Sequence, residues 1–190
     1  MANLIGLSGS LRTASFNTAL LRSAARLVPE GSAVEVHGIR DIPLYDGDLE
    51  DSSGIPSAVT ILKDAVAAAD GLLLVTPEYN NAIPGVFKNA IDWMTRPASD
   101  IPRVFGNKPI AVIGTSPGNF GTLLSQNAWL SVFRAVGAAP WFGGRLLVPH
   151  ANHVFDAAGQ LVDVGIESRL RGFMQGFCAY ADGYRAAPDQ

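Results

Sequence analysis

Short apolar runs alternate along this chain with segments whose apolar positions recur every three or four residues. The runs predict buried strands, and the recurring positions predict amphipathic helices. The predicted strands cover residues 4–7, 33–37, 71–76 and 109–114, with a fifth candidate at 141–148. The predicted helices cover residues 18–28, 57–69, a segment opened by Pro84, 120–136 and 166–184. Residues 41–50 and 149–163 are predicted to be loops.

The order of these elements, strand then helix repeated along the chain, predicts an α/β fold. Successive strand–helix units favour a doubly wound parallel sheet in one domain over residues 1–190. The apolar run at residues 72–75 is typical of a strand covered by helices on both faces. Such sheets bind ligands beyond the carboxyl ends of their strands, so the loops after the strands are the candidate sites.

The loop after the first strand is rich in hydrogen-bond donors. Hydroxyl groups come from Ser8, Ser10, Thr13 and Ser15, and Arg12 adds a planar fork of N–H groups. A helix follows, and its first backbone N–H groups carry partial positive charge and have no acceptor within the helix. An ordinary helix cap needs only one Ser or Thr, so this density of donors favours an anion site, in particular a phosphate site.

The glycine spacing of this loop distinguishes between kinds of phosphate site. The loop has no Lys, which argues against a P-loop, and Gly6 and Gly9 do not supply the three spaced glycines of the dinucleotide fingerprint. Ser10 stands where a nucleophile elbow needs its last Gly. A serine-rich loop with one Arg suits a single terminal phosphate, which points to a mononucleotide such as FMN.

Two further loops follow the third and fourth predicted strands, at residues 76–85 and 115–122. The first of them carries an aromatic ring, a carboxylate, amides and prolines, and the second offers backbone N–H groups around its glycines. The donor-rich loop after the first strand, residues 8–17, is called the phosphate loop. In a flavodoxin-like sheet this loop and the two further loops are directed at one ligand. Together they are suited to hold a flat heterocycle by its edge and leave one face open.

At these loops the chain resembles the NADPH-dependent FMN reductase family, which includes quinone, chromate and azo-dye reductases. The resemblance covers nearly the whole chain and implies the flavodoxin-like strand order 2-1-3-4-5. It is carried by Gly9-Ser10-Leu11-Arg12-x-x-Ser15-x-Asn17, by Leu44-Tyr45-x-x-Asp48-Leu49 and by Pro77-Glu78-Tyr79-Asn80-x-x-Ile83-Pro84-Gly85-Val86-x-Lys88-Asn89-Ala90-Ile91-Asp92-Trp93.

The resemblance implies an oxidoreductase that uses FMN as cofactor and NADPH or NADH as co-substrate, with quinones, chromate, azo compounds or free flavin as acceptors. It implies that the FMN phosphate is held by Ser10, Arg12, Ser15, Phe16 and Asn17. It places Pro77, Glu78, Tyr79 and Asn80 along the ring and ribityl chain, and Ser116, Pro117 and Gly118 at the ring edge. The flavin carries the redox step, so no catalytic side chain and no metal ligand is assigned. Glu78 has two open interpretations, an influence on the reduced flavin or an ordering of its loop.

Composition and charge limit which binding partners and which cellular compartment are expected for this chain. With a net charge of −3, the chain gives no reason to expect nucleic acid. No membrane-spanning run and no targeting segment is visible, so a cytoplasmic protein is expected. The single Cys178 is predicted to be a buried thiol. Charged residues are only 16% of the chain, so part of the surface is expected to be buried in an oligomer. The resemblance implies a homodimer or homotetramer, with the helix bearing Trp93 and Met94 as the candidate seam. Arg96 is a candidate anchor for a second subunit or a nucleotide phosphate.

The donor-rich loop predicts that the purified protein is yellow, or becomes so when incubated with FMN, because the bound flavin absorbs visible light. Absorption spectra before and after incubation and desalting check this. A protein that gains no flavin absorbance would contradict the phosphate site and favour the alternative of a degenerate binding module. A flavodoxin-type electron carrier, the other alternative, would also be yellow.

Overall fold

The computed structural model describes residues 1–185, so residues 186–190 of the predicted domain lie outside the described part. The strands are β1 (Asn3–Ser8), β2 (Ala33–His37), β3 (Gly71–Val75), β4 (Pro109–Thr115), β5 (Ala139–Pro140) and β6 (Leu147–Val148). The helices are α1 (Phe16–Arg26), α2 (Gly47–Ser53), α3 (Ser57–Ala68), α4 (Gly85–Met94), α5 (Ile101–Val104), α6 (Leu123–Ala135), α7 (Ala151–Val154) and α8 (Val164–Arg185). A 3₁₀ turn covers Ala98–Asp100.

The strands form one parallel sheet in the order β2-β1-β3-β4-β5, and β6 also pairs with β4. The predicted fold class and strand order are therefore confirmed, with a short sixth strand added. The register places Leu4 beside both Val34 and Gly71, and Leu72 beside Ile110. Because these strands are parallel neighbours, β1, β3 and β4 all end at the same edge of the sheet, and their following loops meet there.

Helices cover both faces of the sheet, as the continuous apolar runs predicted. On one face, α1 and α8 pack onto the sheet through side chains such as Leu20, Leu21 and Phe177. On the other face, α3, α4 and α6 pack through side chains such as Val59, Phe87 and Trp129. Along β3 successive side chains alternate between the two cores, since neighbouring residues of a strand point to opposite faces.

The predicted fifth strand at residues 141–148 is wrong as a continuous element. Only its last two residues, Leu147–Val148, form β6, and β5 lies just before it at Ala139–Pro140. Between them the Trp141 ring lies so close to Gly143 and Gly144 that an added Cβ would come within 2.5 Å and 2.8 Å of it. The ring also packs edge-on against Phe173 at 4.9 Å. This packing carries the segment away from the edge of β4.

Three other predicted boundaries differ from those in the structure. The acidic stretch predicted as a loop at residues 41–50 contains the start of α2, where the Asp46 side chain accepts from the Asp48 N–H at 2.9 Å. The loop at 149–163 includes the short helix α7. The helix predicted at 120–136 begins only at Leu123, after Gly121 with its positive φ of 61°.

The structure shows how far the side chains of Trp93, Met94 and Cys178 are buried. Trp93 and Met94 are fully buried in the core of their own chain, so these two side chains do not contact a second subunit, and the seam on the helix that bears them stays a prediction. Cys178 is a buried free thiol, as predicted, and burial raises its pKa. Within residues 1–185 no helix is long and apolar enough to cross a membrane.

Gly114 lies where β4 passes closest to its neighbours, so it provides a test of the packing at the site edge. A Cβ there would collide with the Thr76 backbone oxygen and the Thr122 hydroxyl group. We expect Gly114→Ala to lower the free energy of unfolding by about 1–3 kcal/mol, measured by urea denaturation. Gly172→Ala is the matched control, because a Cβ there meets nothing within 4 Å and a helix gains from alanine. Equal stability of the two variants would contradict the close packing.

Candidate flavin site

The phosphate loop joins β1 to α1, and its start is held against the middle of the sheet. The Gly9 N–H donates to the Val75 carbonyl at 3.0 Å, which ties the loop to the end of β3. A Cβ on Gly9 would occupy the space of the Phe87 ring, which packs below the loop. Glycine at this position therefore lets the chain turn tightly out of β1 and over the core.

The N-terminus of α1 presents free donors to the sheet edge. Ser15 is the N-cap, and its hydroxyl accepts from the Thr18 N–H at 3.3 Å. Among residues 1–185 the N–H groups of Phe16 and Asn17 find no acceptor, as is usual in a first helical turn. That turn contains no acidic residue. The helix dipole is thus left uncompensated, which favours an anion at this point.

Two arginines add positive charge to the loop. The Arg12 side chain is exposed and has no hydrogen-bond partner in the described part of the chain, while its backbone N–H donates to the Ser10 hydroxyl at 3.3 Å. Arg40, which follows β2, donates a hydrogen bond to the Leu11 carbonyl. The sequence did not predict Arg40, because nothing in its local pattern indicates a contact with the loop.

The Asn17 side chain links the phosphate loop to the third site loop. Its amide group donates to the Thr115 carbonyl at 2.9 Å, and its amide oxygen accepts from the Thr115 N–H at 3.0 Å. All these atoms are buried. Asn17 therefore positions the start of α1 against the end of β4. Phe16 stacks on Phe155 at 5.9 Å between ring centroids, so both residues offer an anion their backbone N–H rather than their side chain.

The loop after β3 closes in a tight hairpin. Tyr79 and Ala82 exchange backbone hydrogen bonds of 3.1 Å in both directions. Between them Asn80 and Asn81 have positive φ angles of 51° and 64°, the left-handed pair that a type I′ turn requires and that Asn adopts readily. Pro77 is buried at the base of the hairpin, and the Tyr79 ring is 46% exposed at its side.

The Glu78 carboxylate caps a helix. One of its oxygens accepts from the N–H groups of Leu124 and Ser125 at 2.8 Å and 3.0 Å, at the start of α6. This helix has no side-chain cap of its own and no acidic residue in its first turn, so Glu78 supplies both functions. The carboxylate thereby joins the second loop to the helix that follows the third loop.

The loop after β4 is folded around its own carbonyl groups. The Ser116 hydroxyl donates to the Gly121 carbonyl at 2.6 Å, which closes the loop across its base. From behind, the His150 N–H donates to the Gly118 carbonyl at 3.1 Å. Pro117 and Gly118 are left exposed at the tip. Their exposure keeps the backbone at the tip open toward the other two loops.

The three loops are brought together at one edge, where the sequence placed them. Thr76 contributes to this, because its N–H donates to the Ile113 carbonyl at 2.9 Å and its hydroxyl group contacts Ser125 and Trp129. The predicted site residues at this edge are Ser10, Arg12, Ser15, Phe16, Asn17, Pro77, Glu78, Tyr79, Asn80, Ser116, Pro117 and Gly118. Free N–H groups, hydroxyl groups and one unpaired guanidinium group fit a phosphate, and the exposed Tyr79 ring and the exposed Pro117–Gly118 tip lie on the other two loops.

Comparison with known proteins agrees with this geometry. Residues 2–153 match the model of the NADPH-dependent FMN reductase family. The chain belongs to this family. An NAD(P)H-dependent FMN reductase of Pseudomonas aeruginosa is 41% identical over 160 residues, 84% of each chain. A quinone reductase of Escherichia coli K12 is 34% identical over 179 residues, 92% of each chain.

A solved structure extends the agreement to the whole fold. The flavoenzyme NAD(P)H:(acceptor) oxidoreductase FerB of Paracoccus denitrificans superposes with a TM-score of 0.85. It is 32% identical to this chain and covers 97% of it, and the match spans 99% of FerB. The recognition made from the loop residues is therefore confirmed.

Within this FMN reductase, Arg96 is not free to bind a phosphate. Its guanidinium group donates two hydrogen bonds to the Glu50 carboxylate, at 2.8 Å and 3.1 Å, and lies 5.9 Å from the centre of the Tyr45 ring. The hydrogen bond from Arg96 is the main reason that the pKa of Glu50 is lowered. Arg96 thus holds the start of α2 near the end of α4. The structure gives it a role that sequence reasoning did not consider.

Glu78 provides a test of how the second loop is ordered. We expect Glu78→Ala to lower the free energy of unfolding by about 1 kcal/mol, because two N–H groups of α6 lose their acceptor. Glu78→Gln keeps one acceptor oxygen without the charge, so its loss should be smaller. Urea denaturation measures both, with the exposed Glu30→Ala as control. If Glu78→Ala is no less stable than the control, the capping role is excluded.

Proposed function

We propose that this chain is an FMN-dependent NAD(P)H oxidoreductase that reduces quinones and related small acceptors, such as chromate, azo compounds or free flavin. The observation that carries the proposal is the uncompensated N-terminus of α1, with its free N–H groups and an unpaired Arg12, beside two loops able to hold a ring. The names of the P. aeruginosa and E. coli relatives support the same reaction.

Within this proposal the phosphate loop binds the FMN phosphate. Ser10 and Ser15 donate hydroxyl groups, Arg12 donates its guanidinium fork, and Phe16 and Asn17 donate backbone N–H groups. Asn17 also holds this geometry through its two hydrogen bonds to Thr115. These donors belong to a rigid helix end and a braced loop, so they need little reorganisation when the phosphate binds.

The other two loops position the ring in the same proposal. Residues 77–80 lie along the ring and the ribityl chain, and residues 116–118 approach the ring edge with their backbone. Bound FMN supplies the redox chemistry, accepting a hydride from NAD(P)H and passing two electrons to the acceptor. The chain orients the ring and leaves one face open, so the nucleotide and the acceptor use the same surface in turn. No side chain is needed as a general acid or base.

The surface supports a further part of the proposal, assembly into a homodimer or homotetramer in the cytoplasm. Leu44, Phe120 and Phe142 are 76%, 73% and 72% exposed. Contact with a second copy of the chain would remove this apolar surface from water, so these side chains are candidates for the contact. With Trp93 and Met94 buried, these residues are better candidates for the contact than the helix face that contains those two.

The redox function is tested by anaerobic mixing of the FMN-loaded protein with NADPH or NADH. We expect rapid bleaching of the flavin absorbance and its return when a benzoquinone is added, because both substrates reach the open ring face. Stopped-flow absorbance measures both phases. Bleaching that needs a separate reductase would instead indicate a flavodoxin-type carrier.

The binding part of the proposal is tested by Arg12→Met. Loss of charge-assisted hydrogen bonds to the phosphate should weaken FMN binding by about 10- to 100-fold, measured by fluorescence titration of the apoprotein. Arg26→Met is the matched control, since Arg26 lies at the far end of α1 and donates to Ser23. Equal affinities for the two variants would contradict the assignment of the phosphate loop.

A further inference from the structure

A second concave surface adjoins the phosphate loop and the segment after β6, where the His150 and Ala151 N–H groups donate to carbonyls of the loop after β4. It is a cavity of about 600 Å³ between the start of α1 and residues 152–159. This volume lies within the range of small-molecule sites and far exceeds what a lone phosphate fills. The cavity shares Arg12, Ser15 and Phe16 with the phosphate loop, so a ligand in it would adjoin the FMN phosphate.

One wall of the cavity carries positive charge. Ser15, Ala19 and Arg22 line it from α1, at the spacing that places residues on one helix face. Arg22 is exposed, and within residues 1–185 its guanidinium group has no carboxylate and no hydrogen-bond partner. The Arg12 guanidinium group, at the rim of the cavity, is likewise exposed and has no partner in the described part of the chain. Two unpaired guanidinium groups on one wall are suited to a phosphate or pyrophosphate.

The opposite wall carries one unpaired polar side chain, Asn152, and residues with small side chains at 157–159. The exposed Asn152 amide has no partner in the described part of the chain, so it keeps both its donors and its acceptor. The one carboxylate that lines the cavity, on Asp156, already accepts from the N–H groups of Ala158 and Gln160 at 2.9 Å and 2.8 Å. Asp156 therefore shapes the turn, and its charge is partly offset by those donors.

The interior of the cavity is aromatic. Phe16 and Phe155 line it and stack on one another with an interplanar angle of 25°, and because Phe155 is only 4% exposed, the open part of this apolar surface belongs to the half-buried Phe16. Ala19 and Gly159 beside them add no bulk. An apolar surface between a guanidinium wall and a free carboxamide suits a flat heterocycle joined to a phosphate. Asn pairs well with adenine, because its amide matches the adjacent donor and acceptor of that base.

We propose that this cavity is a subsite for a phosphorylated adenosine, with its phosphate on Arg22 and its base between Asn152 and the Phe16–Phe155 surface. The inference rests on the proposed function, since two ligands of such an oxidoreductase carry this group. In NADPH the phosphate on Arg22 is the 2′-phosphate of the adenosine, which NADH lacks, and in FAD it is the phosphate that joins the adenosine to the flavin. In either case Arg12 contacts the FMN phosphate, and Arg22 contacts only the phosphate of the adenosine.

Arg22→Gln tests the subsite, because the change removes the charge and keeps a residue that favours a helix. If NADPH is the source, its KM should rise about tenfold or more, with kcat, the KM for NADH and the FMN affinity unchanged. If FAD is the source, the variant should lose FAD affinity in apoprotein titrations while NADPH kinetics stay constant. Arg26→Gln, one turn further along α1, is the matched control for both measurements.

A binding measurement separates this inference from the proposed function. Calorimetric titration with 2′,5′-ADP reports on the subsite without any turnover, and both Arg22→Gln and Asn152→Ala should weaken that binding. If the wild-type protein binds FMN and oxidises NADPH but neither variant changes any of these measurements, the subsite is excluded and the oxidoreductase stands. If the wild-type protein fails to bind FMN, the proposed function falls, and the 2′,5′-ADP titration still decides the subsite.

Discussion

The pair of hydrogen bonds between the Asn17 side chain and the Thr115 backbone is the contact on which the site depends most. It joins the start of α1 to the end of β4 across the width of β3, in a buried position where an unmet polar group is costly. Two further hydrogen bonds connect neighbouring strand ends in the same way, since the Gly9 N–H donates to the Val75 carbonyl and the Thr76 N–H donates to the Ile113 carbonyl. Loops that would otherwise move independently thus become one surface.

This bracing also determines which donors stay free. The loops satisfy their inward polar groups with one another, as in the contacts of Glu78 with α6 and of Ser116 with Gly121. The N–H groups of Phe16 and Asn17 have no such partner in the described residues and stay unpaired at the start of α1. In a chain with a net charge of −3, the start of α1 therefore combines unpaired helix N–H groups, a first turn without acidic residues and the exposed Arg12, an arrangement that favours an anion.

Three carboxylates near the site likewise accept hydrogen bonds from other parts of the chain. Glu78 caps α6, Asp156 accepts two N–H groups within its turn, and Glu50 is bound by Arg96. Each of these anions is engaged in holding a loop or a helix end. The positive groups that remain unpaired, Arg12 and Arg22, lie along one side of α1. An anionic ligand at this edge consequently meets cations without meeting free carboxylates.

The sequence alone predicted the strands around the site and the donor-rich loop after β1, and the resemblance added the strand order. Apolar runs such as residues 72–75 and donor-rich stretches such as residues 10–17 can be read locally, because burial and helix capping follow from neighbours in the chain. Only the tertiary structure decided that Glu78 meets Leu124, that Asn17 meets Thr115, and that Arg96 is held by Glu50. It also decided that Trp141 packs over two glycines and interrupts the fifth strand. A periodic pattern states which face a side chain occupies, whereas the partner of a polar side chain is chosen by proximity in the folded chain, across separations of up to 98 residues.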